Sequence, residues 1–310
     1  MGLIDFHTHY FSRTYFQTLA AQSPLPGTAD EKLAALARKT GIELPPEDPA
    51  AHLARWLAEM HKYGVEHLVS FASLPEELPV VAEAALRSQG RISGCALLNP
   101  RAPGCAEKAE AALAGGGHKG VLLFPALHGY AVSDPEVRPL FEVLERRKAL
   151  AFVHCGLFVV KLRDLLGFPR TQDLRRADPL SIVPVANAFP NVRFVIPHFG
   201  AGFLRETLLA GAQCPNVFTD SSSSHSWLAT QCPKPTLREV FERVLEVFGP
   251  GRVLFGTDST TFPTGWQRAR HEEQRAVLEK IGASAADQEL VFAGNARGLL
   301  GLAPAATSAP

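Results

Sequence analysis

Eight short apolar runs, each followed after an interval by a segment of helical periodicity, constrain this chain more than any other feature. The runs cover residues 3–9, 65–71, 92–98, 120–124, 150–154, 193–198, 216–220 and 252–258. Between the first two, Asp48-Pro49 starts a helix in which Leu53, Trp56, Leu57 and Met60 fall at i, i+3, i+4 and i+7, and Gly64 ends it. Ser133-Asp134-Pro135-Glu136 and Thr236-Leu237-Arg238-Glu239 read as capping boxes that open two further helices. Strand and helix alternating in this way predict an α/β fold, a (β/α)₈ TIM barrel, with a doubly wound open sheet as the alternative. A length of 310 residues accommodates it as one domain over 1–302, with a flexible tail at 303–310.

Several of these runs end in a residue able to bind a metal. The first ends in His7-Thr8-His9, and because alternate residues of a strand point to one side, the two imidazoles can share a ligand while Thr8 faces away. His154, His198 and Asp258 stand at three other strand ends. In a closed barrel the carboxyl ends of strands one, five, six and eight converge on one mouth. Imidazole and carboxylate together suit zinc and similar divalent ions. Taken singly, each residue has a plainer reading, as a neutral buried imidazole bonded to the backbone or as a turn cap. The recurrence at matching strand ends favours the metal.

Residues 10–48 break the rhythm. They carry Tyr10, Phe11, Tyr15 and Phe16, a Pro-Leu-Pro-Gly turn at 24–27 and a helical run over 30–39, which predicts an ordered capping insertion beside His7 and His9. Tyr10 and two histidines in loops leaving strands four and seven, His128 and His225, are candidate substrate contacts. His52, His61, His67, His118 and His271 fall on helix faces or at entering strand ends and read as structural. The basic run Lys161, Arg163, Arg170, Arg175 and Arg176 is either a solvated loop or a carboxylate-binding one, with Arg163 the substrate-contact candidate.

Charge and cysteine usage exclude some partners. Lys plus Arg and Asp plus Glu both total 31, so no net field attracts nucleic acid or an anionic membrane. With a strand expected from Leu3, no secretory leader is expected. No apolar run approaches the roughly 20 residues that span a bilayer. The five cysteines, Cys95, Cys105, Cys155, Cys214 and Cys232, lack Cys-x-x-Cys spacing and read as reduced thiols of a cytoplasmic protein. A small molecule is the expected partner, and a homodimer stays open.

Ile4-Asp5-Phe6-His7-Thr8-His9, Val153-His154-Cys155-Gly156, Pro197-His198-Phe199-Gly200 and Phe255-Gly256-Thr257-Asp258, followed by Gly294-Asn295-Ala296-Arg297, resemble the amidohydrolase superfamily. Within it they are similar to the amidohydrolase-related branch that includes aminocarboxymuconate semialdehyde decarboxylase. The resemblance implies a barrel in which His7, His9, His154 and Asp258 hold a divalent ion, usually zinc, with His198 and Asp258 as catalytic groups. Two-metal relatives bridge their ions with a carboxylated lysine on the fourth strand. This chain has Leu122 there, and Lys119 lies at the entering end, so one ion is expected.

Such a site supports two reactions. Divalent ions lower the pKa of bound water toward about 7, which suits hydrolysis of an ester, amide or lactone, with Asp258 moving the proton and His198 as acid or electrophile. The same groups serve loss of carbon dioxide from an unsaturated or aromatic acid. Hydrolysis is the preferred reading; a catalytically silent metal-binding barrel is the third.

Overall fold

The computed structural model describes residues 2–303, so the tail expected at 303–310 lies, beyond Ala303, outside the described residues. Eight parallel strands follow one another round the sheet in sequence order: β1 (Ile4–His9), β2 (His67–Phe71), β3 (Ile92–Leu97), β4 (His118–Leu123), β5 (Leu150–Val153), β6 (Arg193–Ile196), β7 (Val217–Asp220) and β8 (Val253–Leu254). After β8 the extended chain runs along β1. The Phe6 amide donates to the Phe255 carbonyl at 2.8 Å, Asp258 to His7 at 2.9 Å and His9 to Ser259 at 2.8 Å. These bonds close the seam between last and first strand, so the fold is the barrel and not the open sheet.

The helices are α1 (Arg13–Gln22), α2 (Ala29–Thr40), α3 (Pro49–Tyr63), α4 (Leu78–Arg87), α5 (Cys105–Ala114), α6 (Pro125–His128), α7 (Arg138–Arg147), α8 (Lys161–Leu165), α9 (Val183–Ala188), α10 (Leu204–Gln213), α11 (Leu237–Phe248) and α12 (Arg268–Lys280), with two short ones after them. α11 starts with the expected reciprocal bonds between Thr236 and Glu239, worth about 1 kcal/mol at a helix start. The box expected at Ser133 does not form. Asp134, one residue later, leads a 3₁₀ turn at Pro135–Val137, and its carboxylate turns back to accept from the Ala131 amide. No helix among the described residues is long and apolar enough to cross a membrane.

Strand alternation sorts the apolar residues into two cores. Ile4, Phe6, Val69, Phe71, Leu122, Phe152, Val195 and Leu254 fill the barrel, while Val121, Ala151, Phe194, Val217 and Val253 pack outward on the helices. Leu122 therefore faces inward, and Lys119 is exposed at the entering end of β4. A third core lies apart: Phe11, Tyr15, Phe16, Leu19, Leu33 and Leu36 of the 10–48 segment pack with Leu166 of the loop after β5. That segment contains, besides the expected second helix, a helix at Arg13–Gln22 that Ser12 caps by accepting from the Tyr15 amide.

Candidate metal-binding site

A bulge in β1 builds the centre of the site. The register against β2 slips between Asp5 and Thr8, and an extra residue in a strand re-aims the side chains beside it. Phe6 remains in the barrel core and His7 also comes inward above it, its ring 4.6 Å from that of Phe71. Asp5 points the other way. Its buried carboxylate accepts from the His7 amide (3.0 Å), the Thr257 amide (3.1 Å) and the Trp266 indole (2.8 Å), riveting β1 to the strand that carries Asp258. Gly256 is required there, since a Cβ would lie 2.8 Å from the Cβ atoms of both His7 and Ser222.

Each imidazole at the centre has one nitrogen fixed by the protein. His7 Nδ1 lies 2.8 Å from Asp220 Oδ2, and His9 Nδ1 lies 2.7 Å from Ser73 Oγ. Their Nε2 atoms converge instead on Asp258 Oδ1, at 3.7 and 3.4 Å. Those separations exceed an ordinary charge-assisted hydrogen bond. They match the roughly 3.4 Å edge of a tetrahedron whose ligands lie about 2.1 Å from a central ion. Two imidazole nitrogens and a carboxylate oxygen are also the donor types that zinc takes, so the residues fit a small divalent ion.

His154 follows β5 on the inward side, two residues after Phe152. It lies outside the tight His7, His9 and Asp258 cluster, across the site beside His198, with ring centroids 5.3 Å apart. Its ring has no hydrogen bond among the described residues. Burial and the neighbouring histidines His198 and His7 hold it well below the usual imidazole range, so it is neutral with a free lone pair.

Asp220 is the site residue that the sequence reading passed over. It ends β7 as Asp258 ends its own run, and its carboxylate is fully used: Oδ2 faces His7, and Oδ1 accepts from the His198 amide (3.0 Å), the Ser222 amide (3.0 Å) and the Ser222 hydroxyl. Burial alone would raise its pKa, but His7 overcomes this and the carboxyl falls to about 2. For His7 burial likewise opposes the charge, and the Asp220 carboxylate more than offsets it, so its pKa rises. Asp220 thereby orients His7 and the His198 backbone, and with His7 and His198 it forms a second, fully buried group of donor atoms close enough together to hold an ion.

The same bonds fix the tautomer of His198. Ser222 gives its proton to Asp220, so at 2.7 Å its oxygen accepts from His198 Nδ1–H. Nε2 is then left unprotonated toward the site, and burial lowers the imidazole to about 4. His198 is thus presented with Nε2 turned toward the site. Its backbone is left-handed (φ 59°), as is that of Asp258 (φ 60°). Such conformations cost of order 1–3 kcal/mol in non-glycine residues and concentrate at functional sites.

Above these groups opens a cavity of about 640 Å³. His9, His154, His198 and Asp258 form its floor, and Phe11, Tyr15, Leu19, Phe124, Phe158 and Trp227 belong to its apolar wall. Arg163 and His128 line it as expected. Arg163 is half-buried, sits 4.4 Å over the Phe168 ring and makes no ion pair among the described residues. Arg170, Arg175 and Arg176 instead pair with Asp164, Asp173 and Asp134 at the surface, the solvated reading of that loop. Two candidate contacts are corrected. Tyr10 follows inward His9, so alternation turns it outward onto His52 of α3. His225 turns back to bond the Ser221 carbonyl at 3.0 Å and stacks on Phe199 outside the cavity.

The family model described as Amidohydrolase matches residues 4–302. The chain belongs to the amidohydrolase family. No match is found among curated proteins. The fold of this amidohydrolase is similar to 5-carboxyvanillate decarboxylase from Sphingomonas paucimobilis, at 14% identity over 97% of this chain and 99% of that one (TM-score 0.65). It also resembles a probable 2-pyrone-4,6-dicarboxylic acid hydrolase from Acinetobacter baumannii with citric acid bound (15%, 97% and 100%, TM-score 0.62). A third similar structure is an amidohydrolase from Burkholderia multivorans with bound zinc (19%, 98% and 100%, TM-score 0.63).

Proposed function

We propose that this amidohydrolase is a hydrolase of a small apolar ester, amide or lactone that carries a carboxylate, working with one divalent ion, zinc. The convergence of His7 Nε2, His9 Nε2 and Asp258 on one point at the carboxyl mouth of the barrel carries this reading. His154, neutral and unbonded across the site, would supply the fourth donor to a bound ion, and inward Leu122 leaves no bridge for a second. When bound, such an ion lowers the pKa of water toward about 7 and polarises a carbonyl oxygen.

The chain's own groups supply the rest. Asp258 stands with a third of its side chain open to the cavity, where it takes a proton from attacking water. His198 Nε2, aimed inward by Ser222, is the second acceptor, and once charged it returns the proton to the leaving atom. Asp220 stabilises that charge through Ser222 and keeps His7 Nδ1 protonated, as carboxylates behind metal-binding histidines do. At the mouth, Arg163 and His128 hold the substrate's carboxylate, and the aromatic wall excludes water from its body.

The second reading is loss of carbon dioxide. It is supported by the fold's similarity to 5-carboxyvanillate decarboxylase and by the apolar wall, which suits an aromatic acid. Reaction in heavy-oxygen water distinguishes the two: hydrolysis puts the label in the product. Carbon-bound deuterium from heavy water, with released carbon dioxide and no oxygen label, overturns hydrolysis.

A further inference from the structure

Tyr15 contributes more than a ring to the wall of the central cavity. It sits in the first turn of α1, where its amide donates to the Ser12 cap, and its ring lies flat on that of Phe11, with centroids 4.1 Å and planes 7° apart. Leu19, Leu33 and Leu166 belong to the same apolar core, so the ring is held in place by packing. The residue is 3% exposed and lines the cavity.

Its hydroxyl is the atom without a role in packing. Nine side-chain polar atoms among the described residues are both shielded and unpaired, and the hydroxyls of Tyr10 and Tyr130 are two of them. Tyr15 Oη is not, yet it has no hydrogen-bond partner among the described residues, so it is reachable and opens into the cavity. Burial, aided by Glu77 and opposed by Arg163, lifts the phenol above its usual range, so it keeps its proton and acts there as a donor. Arg163 is the nearby charge. It stands on α8, whose Leu162 and Leu165 pack against the same core as Tyr15, and it makes no ion pair among the described residues. The one carboxylate among the lining residues, Asp258, stands on the floor with the histidines. A phenol O–H and a guanidinium fork that reach one cavity from adjoining helices, with no acceptor of their own, match the two oxygens of a carboxylate.

We propose that Tyr15 and Arg163 form one clamp for the substrate's carboxylate, with Tyr15 Oη donating to one oxygen, and that Tyr15 thereby helps select acids over neutral molecules. The inference rests on the reading of this cavity as one that admits a carboxylate. Its test needs no turnover, so a failure of hydrolysis leaves it standing and its own failure leaves hydrolysis standing. Benzoate and neutral benzamide are the probes, titrated calorimetrically into the zinc-loaded protein and soaked into its crystals. Benzoate should lie with its carboxylate between Tyr15 Oη and Arg163. Tyr15→Phe removes only the hydroxyl and keeps the ring on Phe11. It should weaken benzoate about tenfold, the usual worth of a hydrogen bond to a charged group, and leave benzamide where it was. In a folded Arg163→Gln background the same change should cost much less, because the carboxylate has already lost its anchor. Wild-type affinity for benzoate in Tyr15→Phe, a benzoate carboxylate seated only on the zinc, or losses from the two changes that simply multiply overturns the clamp.

Discussion

The floor and the roof of the central cavity are made differently. On the floor, His7, His9 and His198 are each held by a named oxygen, and the residues that supply these oxygens are held in turn: Asp220 by Ser222 and two backbone amides, Ser73 through its backbone amide by Glu77. The roof is α1, α2 and the loop after β5, joined through a separate apolar core with few polar ties, of which Ser23 Oγ to the Leu166 carbonyl at 2.7 Å is one. Rigid hydrogen-bonded frames position reacting groups to fractions of an ångström, whereas apolar contacts are non-directional and tolerate exchange of one side chain for another. The frame below is therefore suited to fixing groups in place, and the part above to varying in what it admits.

That contrast breaks most sharply at the ligands. His7→Ala should abolish turnover and leave less than a tenth of the metal found in the wild type by elemental analysis after dialysis; full retention of metal would place the ligands elsewhere. His198→Gln comes next, lowering kcat by about 10² to 10⁴, the worth of general acid–base catalysis, with metal content unchanged. If metal is lost too, His198 is a ligand and the floor has been divided wrongly. Asp220→Asn alters the group behind His7, and changes behind ligating histidines cost about 10- to 100-fold in metal affinity or rate. A competition titration with a chelator reads that loss directly.

On the roof the effects should be smaller and selective. Arg163→Gln should raise KM about tenfold for substrates with a carboxylate and hardly at all for neutral ones. An equal change for both kinds would return Arg163 to a purely structural place over Phe168. The smallest effect sits where floor meets roof. Glu77 accepts from the amide of Ser12, which caps α1, and from that of Ser73, and burial lifts its carboxyl from near 4.5 to about 7. The folded state then holds this proton more tightly than the unfolded one, so its stabilisation is complete below pH 4.5 and is lost as pH rises through 7. Melting curves from pH 4.5 to 8 should show a fall that Glu77→Gln flattens; an unchanged slope would mean the carboxyl is ionised throughout.

The same division governs what the sequence discloses. His7, His9, His154, His198 and Asp258 are legible because a strand end is a local feature, and sequential strands bring such ends to one mouth once the barrel closes. Asp220 ends β7 in the same way and was open to the same argument. Tyr10 was open to correction too, since it follows inward-pointing His9 in an extended chain. The bulge at 6–7 was not legible, because its cause is the pairing of β1 with β2 and with Phe255 and Ser259, far along the chain. Nor was the orientation of the His198 ring, which depends on Ser222 passing a hydrogen bond to Asp220. In the roof, Arg163 could not be told from Arg170 and Arg175 by spacing; only the positions of Asp164 and Asp173 separate them.

The aromatic plug of Phe6, Phe71 and Phe152 beneath His7 has a kinetic consequence. It fills the barrel beneath His7, leaving the cavity to lie at the carboxyl mouth. If a substrate sits at that mouth with a carboxylate on Arg163, as proposed, it would block exchange with bulk solvent, and any water consumed would have to be aboard before it arrives. Products would then leave by the way the substrate entered. High substrate concentration should therefore slow turnover by queueing at the exit, a traffic effect that arises from three phenylalanines which take no part in the chemistry.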